Sequence, residues 1–168
     1  MKKQVKKQNK LLHLTTAAFI AALYVVLTYI ANAFGLASGA IQIRLSDILC
    51  VLPYFTPAAV PGLFVGCILA NLLTGCCVLD IVVGSFATLI GAYVARKIRR
   101  AKYLVPFPTV FANALLVPIV LIYGYGIKLS YVYLFFTVGV GELISVGLFG
   151  IIFLQVLSKI SFFANMVD

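Results

Sequence analysis

The sequence predicts an all-α, polytopic membrane protein with six transmembrane helices and both termini in the cytoplasm. Of the 168 residues, 64% are hydrophobic and only 10% are charged, whereas soluble domains average roughly 25% charged residues. The mean hydropathy is +1.16, and the apolar residues form long runs. Because a spanning helix needs about 20 residues, the chain has room for one membrane domain and no second, soluble domain.

The net charge of +9 is concentrated in two basic clusters, each beside an apolar run. Basic residues beside spans are typical of cytoplasmic loops, so the clusters indicate membrane topology, and no nucleic-acid partner is expected. One cluster lies in residues 1–10, a predicted cytoplasmic tail, and the other in residues 96–102. Their members are Lys2, Lys3, Lys6, Lys7 and Lys10, and Arg96, Lys97, Arg99, Arg100 and Lys102.

The first apolar run, residues 11–33, begins the membrane domain, which is predicted to cover residues 11–158. Its apolar core exceeds the roughly 7–15 residues of a signal peptide, so we expect a retained helix. The second run, residues 45–75, contains three prolines, each of which removes a backbone donor and tends to end a helix. This run is either one kinked helix or a hairpin of two short helices.

Charge parity favours the hairpin. If both basic clusters are cytoplasmic, an even number of spans must lie between them, and a hairpin provides that number. We therefore predict spans over residues 45–55 and 58–74, turning at Thr56 and Pro57. The first of these is short for a hydrocarbon core of roughly 30 Å, so we expect it to lie protected among its neighbours. The remaining spans are predicted over residues 78–95, 103–123 and 131–157, before a cytoplasmic tail at 159–168.

Acidic and amide side chains fall inside the spans, where a carboxylate costs about 2.5–3.5 kcal/mol on insertion scales. A rise of roughly 1.5 Å per residue places all of them in the outer half of the domain. We predict that they line one solute pocket open to the exterior, with Arg44 beside them and tyrosines as a stacking face. The excess of acids favours a cationic or donor-rich ligand. The predicted set is Asp47, Asn71, Asp80, Asn113 and Glu142, with Tyr54, Tyr123, Tyr125 and Tyr131 as the tyrosines.

Structural roles remain open for most of these side chains. Asp80 could cap the helix that it begins, and Asp47 could form a salt bridge with Arg44. The two asparagines could form hydrogen bonds between helices. A structural role explains Glu142 least well, because its own span offers no basic partner.

Span one also carries two overlapping pairs of alanines, Ala17 with Ala21 and Ala18 with Ala22. Small residues four apart let another helix approach closely. Taken alone, the pattern favours packing within the monomer over docking of a partner.

Several function classes are excluded by missing motifs. No G-x-x-x-x-G-K-[ST] stretch cradles nucleotide phosphates, so the chain is not predicted to power a pump itself. The single His13 and the spacing of the four cysteines match no metal site. Neither a metal nor a cofactor is therefore expected.

Several short motifs are distributed along the membrane portion, at residues 43–47, 51–63, 66–71, 79–85, 113–118 and 139–143. In these motifs the chain resembles the QueT family of queuosine-precursor transporters. The resemblance is most specific between Arg44 and Asn71. One departure is Asp47, because the family pattern usually has glutamate at that position.

The resemblance implies a six-helix substrate-binding (S) component of an energy-coupling factor (ECF) transporter in the bacterial plasma membrane. The implied partners are a transmembrane coupling subunit and two cytoplasmic ATPases. The implied ligand is a 7-deazaguanine such as 7-aminomethyl-7-deazaguanine or queuine, with Glu142 as one contact. Members of this class dock the coupling subunit through an alanine-x-x-x-alanine motif, which suggests that role for Ala17 and Ala21, together with Ala18 and Ala22.

Two rival functions follow from the residues alone. An autonomous proton-coupled transporter for a small cationic or purine-like solute would use Glu142 and Asp80 as titrating groups. A membrane enzyme ranks last, because His13 is predicted far from the acids and no pair of nucleophile and base is present. We therefore predict a transport protein without catalytic residues.

Overall fold

The computed structural model describes the backbone of residues 2–35 and 44–161, and the side chains of residues 9–35 and 44–161. The predicted tail beyond residue 161, Ile43 and the side chains of Lys2, Lys3, Lys6 and Lys7 lie outside the described residues. Within the described residues every regular element is a helix. The first helix already begins at Lys2, so its backbone runs unbroken through the predicted tail at residues 1–10.

The helices follow the predicted order. Four of them are long and apolar enough to cross a membrane, counted over the described residues, and two apolar helices are shorter. The helix from Tyr131 to Lys159 is continuous, because α5, a π-helix and α6 follow one another without a break. The elements are α1 (Lys2–Ala33), a 3-10 helix (Leu45–Tyr54), α2 (Ala59–Leu73), α3 (Val78–Lys97), a short 3-10 turn (Lys102–Leu104), α4 (Phe107–Tyr123), α5 (Tyr131–Glu142), the π-helix (Leu143–Phe149) and α6 (Gly150–Lys159).

The predicted hairpin is confirmed. The 3-10 helix and α2 are separate elements joined by residues 55–58. Arg44, just before the 3-10 helix, donates a hydrogen bond to Asn71 near the end of α2, so the two helices run antiparallel. A single kinked helix is therefore excluded, and the described residues contain the six helices that were predicted.

The short second span has an unexpected form, because it is a 3-10 helix rather than an α-helix. At a rise of about 2.0 Å per residue, its 10 residues extend about 20 Å, less than the roughly 30 Å hydrocarbon core. Pro53 lies inside it and supplies no backbone donor. Most of its residues are buried, and it contacts α1, α3 and α6. The expectation that it lies protected among its neighbours is confirmed.

Helices α1 and α2 pack in parallel through small residues, a contact that we call the α1–α2 seam (Ala17, Ala21, Gly62 and Gly66). A Cβ added at Gly62 would lie 2.7 Å from the backbone oxygen of Ala17, and one added at Gly66 would lie 3.0 Å from the Cα of Ala21. The two backbones therefore touch, as small residues allow in membrane helices.

This packing corrects one prediction. Ala17 and Ala21 are only 9% and 5% exposed, so α2 of the same chain occupies the face that was assigned to a docking partner. Packing within the monomer, the alternative for this pair, is what the structure shows. Ala18 and Ala22 point away from the seam and are exposed. Docking on Ala18 and Ala22 stays a prediction.

The two ends of the bundle differ in their polar residues. At one end, which we call the basic end, Arg96 donates to the backbone oxygens of Pro53 and Tyr54. The Lys102 ammonium lies 5.9 Å from the Tyr54 ring centroid, a distance at which cation–π attraction acts. At the other end, which we call the pocket end, Arg44 and Asn71 meet.

Candidate functional site

A cavity of about 340 Å³ opens at the pocket end. This volume lies within the roughly 300–1,000 Å³ range of small-molecule sites. Its lining combines apolar side chains of α4 with polar groups from α1, α2, α3 and the residues beside the 3-10 helix. The lining residues are Thr28, Ala31, Asn32, Arg44, Ser46, Asn71, Thr74, Gly75, Cys76, Asp80, Val117, Val120, Leu121, Tyr125 and Ile127.

Arg44, Asn71 and Asp80 form the polar part of this lining. Arg44 Nη2 donates to Asn71 Oδ1 at 2.9 Å, and Asn71 Nδ2 donates to the backbone oxygen of Asp80 at 3.3 Å. The Arg44 guanidinium also interacts electrostatically with the Asp80 carboxylate. One cation thus bridges two helices at the wall of the cavity.

Tyr125 also contacts the Asp80 carboxylate. Its hydroxyl donates to Asp80 Oδ2 at 2.9 Å and accepts from the backbone N–H of Cys77 at 3.4 Å. Partial burial, followed by the hydrogen bond with Cys76 and the nearby Asp80 charge, raises the pKa of Tyr125 above its ordinary value. The hydroxyl therefore remains a donor at neutral pH. Gly84 leaves room for this carboxylate, since a Cβ there would lie 2.9 Å from Asp80 Oδ1.

Beside the cavity, four buried side chains form what we call the deep layer (Tyr24, Asp47, Asn113 and Glu142). The Tyr24 hydroxyl donates to Asp47 Oδ1 at 2.6 Å, and Asn113 Nδ2 donates to Glu142 Oε1 at 2.9 Å. The Asp47 and Glu142 carboxyl groups interact electrostatically, although no hydrogen bond joins them. The deep layer therefore brings α1, the 3-10 helix, α4 and α5 together around two carboxyl groups.

The deep layer does not line the cavity. Asp47 is 0% exposed and Glu142 is 5% exposed. Asn113 lies about one helical turn along α4 from Val117, which does line the cavity, and Asp47 follows the lining residue Ser46. The prediction of a single open hollow is therefore corrected: the polar residues lie in two adjoining layers, of which only one is open.

Several buried oxygens in and around the deep layer have no hydrogen-bond partner in the described part of the chain. Each carboxylate of the deep layer uses one oxygen and leaves the other unpartnered. A buried acceptor without a donor costs about 1–3 kcal/mol, so an arriving donor would relieve this cost. The unpartnered atoms are Ser46 Oγ, Asp47 Oδ2, Ser85 Oγ, Thr109 Oγ1, Asn113 Oδ1, Glu142 Oε2 and Ser145 Oγ.

Tyr54 is placed incorrectly by the prediction. It ends the 3-10 helix at the basic end, where its ring lies beside Lys102 and its backbone oxygen accepts from Arg96. At about 2.0 Å per residue, it lies about 20 Å from Arg44. Tyr54 therefore contributes nothing to the cavity wall. Tyr123 and Tyr131 also lie outside both layers, because the Tyr123 side chain is 79% exposed and the Tyr131 hydroxyl donates to the backbone oxygen of Leu115. The other residues predicted for the pocket lie in one of the two layers.

The structure also distinguishes between the structural roles left open above. Arg44 pairs with Asn71, and Asp47 takes its hydrogen bond from Tyr24. Asp80 lies in the first turn of α3 but accepts from Tyr125. Both asparagines form hydrogen bonds between helices, and Asn113 still has an unpartnered oxygen. The deep layer therefore contains both hydrogen bonds between helices and oxygen atoms that have no donor.

Sequence reasoning missed Tyr24, Ser85, Thr109 and Ser145. A signal for Tyr24 was present, because it lies seven residues after Ala17 and shares the buried helix face of the small-residue pattern. The hydroxyl residues carry no such signal, since serine and threonine are common in spans and usually bond their own helix backbone. Thr88, for example, donates to the backbone oxygen of Gly84 at 3.0 Å.

Comparisons with known proteins agree with the resemblance noted in the sequence. The model of the QueT transporter family matches residues 14–159. The queuosine precursor transporter QueT of Lactococcus lactis subsp. cremoris (strain MG1363) is 33% identical over 84 residues, which is 50% of this chain and 49% of that protein. The matched stretch thus spans about half the length of this curated relative. No solved structure matches the chain.

Proposed function

Because the chain belongs to the QueT transporter family, we propose that it is the substrate-binding S component of an ECF-type importer. It captures a queuosine precursor, a 7-deazaguanine such as 7-aminomethyl-7-deazaguanine or queuine, from outside the cell. A transmembrane coupling subunit and two cytoplasmic ATPases then drive uptake. The proposed location is the bacterial plasma membrane, with both termini in the cytoplasm.

The observation that carries this proposal is the set of unpartnered acceptors in the deep layer. Glu142 Oε2, Asp47 Oδ2 and Asn113 Oδ1 are buried and lack donors in the described part of the chain. A guanine-like edge offers two adjacent N–H donors to one carboxylate, and an aminomethyl cation suits a second. The ligand therefore satisfies acceptors that the empty protein leaves unpaired.

Arg44 controls entry from the cavity to the deep layer. It lines the cavity, bonds Asn71 and interacts electrostatically with Asp47. When a cationic ligand enters, it takes over the charge compensation that Arg44 otherwise provides. The Arg44–Asn71 bond then opens, and the cavity and the deep layer become one site.

The orientation and the partners follow from the remaining surfaces. The basic end faces the cytoplasm by the positive-inside rule, so the cavity faces outside. The chain contains no nucleotide-binding motif, so in this proposal other subunits hydrolyse ATP. The exposed pair Ala18 and Ala22 offers the coupling subunit a close approach on α1, in place of the buried pair Ala17 and Ala21.

Glu142→Gln tests the proposal by direct binding in detergent. We expect the affinity for 7-aminomethyl-7-deazaguanine to fall about ten- to hundredfold, because a hydrogen bond to a charged group contributes about 1.5–3 kcal/mol. Tyr54→Phe, which changes a hydroxyl at the basic end, is the control and should bind normally. Unchanged affinity in a folded Glu142→Gln variant would show that the deep layer is not the ligand site.

A proton-coupled carrier is the second candidate, and the electrostatic interaction between the buried Asp47 and Glu142 carboxyl groups favours it. Buried carboxyl pairs occur in the proton relays of transporters. In this alternative, Glu142 and Asp80 exchange protons while a cationic or purine-like solute crosses. Vesicles that contain only this chain distinguish the two candidates: uptake driven by a pH gradient supports the carrier, and uptake that requires the ATPase subunits supports the S component.

A further inference from the structure

A second cavity lies in a groove between α4 and α5 and shares no lining residue with the cavity at the pocket end. Its volume is about 580 Å³. All of its lining side chains are apolar, so it has no hydrogen-bonding capacity to hold a polar solute. The lining residues are Ile98, Leu104, Phe107, Pro108, Val110, Phe111, Ala114, Phe135, Phe136, Gly139, Val140 and Leu143.

The groove is open along the side of the bundle. Phe111 and Phe136 form its walls and are 62% and 63% exposed. Small residues form its floor, where a Cβ added at Gly139 would lie 3.7 Å from the Cβ of Ala114, an ordinary contact distance. Between Phe107 and Ala114 it extends about 10 Å along α4. Because this surface lies within a membrane span, the groove suits an extended hydrocarbon chain.

Unpaired cations lie where the groove reaches the basic end. Ile98 and Leu104 line the groove, and the chain between them contains Arg99 and Arg100. Neither guanidinium has a hydrogen-bond acceptor or an ion-pair partner in residues 9–35 and 44–161. Other cations of the same cluster are engaged, since Arg96 bonds backbone oxygens. Arg99 and Arg100 therefore remain available for an anion.

Charge and shape together specify one kind of occupant. We propose that this groove binds an anionic phospholipid, with an acyl chain between α4 and α5 and the phosphate at Arg99 and Arg100. Clusters of basic residues beside spans attract anionic headgroups at about 1 kcal/mol per residue. A second copy of the chain fits less well, because parallel copies would bring two unpaired basic clusters together.

Native mass spectrometry of the full chain tests this assignment. The chain is released from nanodiscs of phosphatidylglycerol or of phosphatidylcholine with identical acyl chains. We expect one phosphatidylglycerol to be retained per chain and phosphatidylcholine to be retained at least several-fold less. Equal retention of the two lipids, or a dimer that carries no lipid, would overturn the proposal.

Paired variants separate headgroup binding from bulk charge. The double variant Arg99→Gln/Arg100→Gln should lower phosphatidylglycerol retention roughly tenfold or more. The matched control Lys10→Gln/Lys128→Gln removes two exposed cations elsewhere and should retain the lipid. Equal losses in the two double variants would show nonspecific attraction and contradict the assignment.

A third variant tests the groove itself. Gly139→Leu fills the floor, and it should reduce retention of both lipids by a similar factor. The control Val82→Leu places a leucine at a 49% exposed position on α3 and should change neither. If Gly139→Leu does not fold, the charge variants still decide between the outcomes. Unchanged retention in a folded Gly139→Leu variant would exclude the groove as the acyl site.

Discussion

The α1–α2 seam and the deep layer are both buried between helices, yet they are built in opposite ways. In the seam, glycine and alanine bring two backbones into contact, with no space for an added Cβ. In the deep layer, polar side chains meet with several acceptors left unpartnered. The seam is closely packed with no space left, whereas the deep layer contains buried acceptors that have no donor.

This difference separates stability from function in the same bundle. Close packing of small residues is a main source of association between membrane helices, so the seam should hold α1 and α2 together. Buried unpartnered acceptors destabilise a fold, so their retention in the deep layer is explained by a ligand that supplies donors. Substitutions that add bulk in the seam should therefore lower stability, whereas a substitution that removes an unpartnered acceptor from the deep layer should raise it.

The largest effect is expected in the seam. In Gly66→Leu the first added carbon would already lie 2.8 Å from the Cβ of Tyr24, and the backbone of α1 prevents relaxation. We expect a loss of about 3 kcal/mol in the free energy of unfolding, measured in detergent. The control Ala18→Leu places the same side chain on the exposed face of α1 and should change stability by less than about 0.5 kcal/mol. Equal losses would contradict the assigned faces.

A smaller loss is expected at the hydrogen bond between Tyr24 and Asp47 in the deep layer. Tyr24→Phe removes the donor to Asp47 Oδ1 and leaves that oxygen buried without a partner. We expect a loss of about 1.5–3 kcal/mol, the range for hydrogen bonds to charged groups. Tyr29→Phe is the control on the same helix, because its exposed hydroxyl donates at 3.2 Å to the backbone oxygen of Leu73. A loss as large in the control would show that tyrosine hydroxyls on α1 matter generally.

The sequence predicts the number and order of the helices well for physical reasons. Hydropathy identifies the long spans directly. The hairpin at residues 45–74 follows because an even number of spans must lie between two cytoplasmic basic clusters. The 3-10 form of the second span and the π-helix Leu143–Phe149 are not predictable in this way. Both depend on how neighbouring helices enclose the backbone, and no local periodicity encodes that.

The site was predictable only in part. The regular rise of a helix places Asn113 and Glu142 at one level, and the structure joins them at 2.9 Å. The same rise per residue places Tyr54 at the end of its span opposite Arg44. Tyr54 was assigned to the pocket only because its ring could stack on a flat ligand. Tyr24 and Asp47 meet across 23 positions of sequence, a contact between helices that depth alone does not reveal.

The smallest effect should be a gain in stability. In Asp47→Asn the amide oxygen still accepts from Tyr24, and the amide removes a negative charge that acts on Glu142. A potential donor then replaces a buried acceptor that has no partner, so we expect the free energy of unfolding to rise by about 0.5–1.5 kcal/mol. Affinity for 7-aminomethyl-7-deazaguanine should fall at the same time, because the acceptor that the ligand uses is consumed.

Asp80→Asn is the matched control for this substitution. Asp80 lies in the first turn of α3, where a negative charge favours the helix by about 0.3–1 kcal/mol, so the same change there should lower stability slightly. A gain at Asp80, or a loss at Asp47, would mean that the deep layer is as well satisfied as the seam. Its unpartnered acceptors would then no longer explain ligand binding.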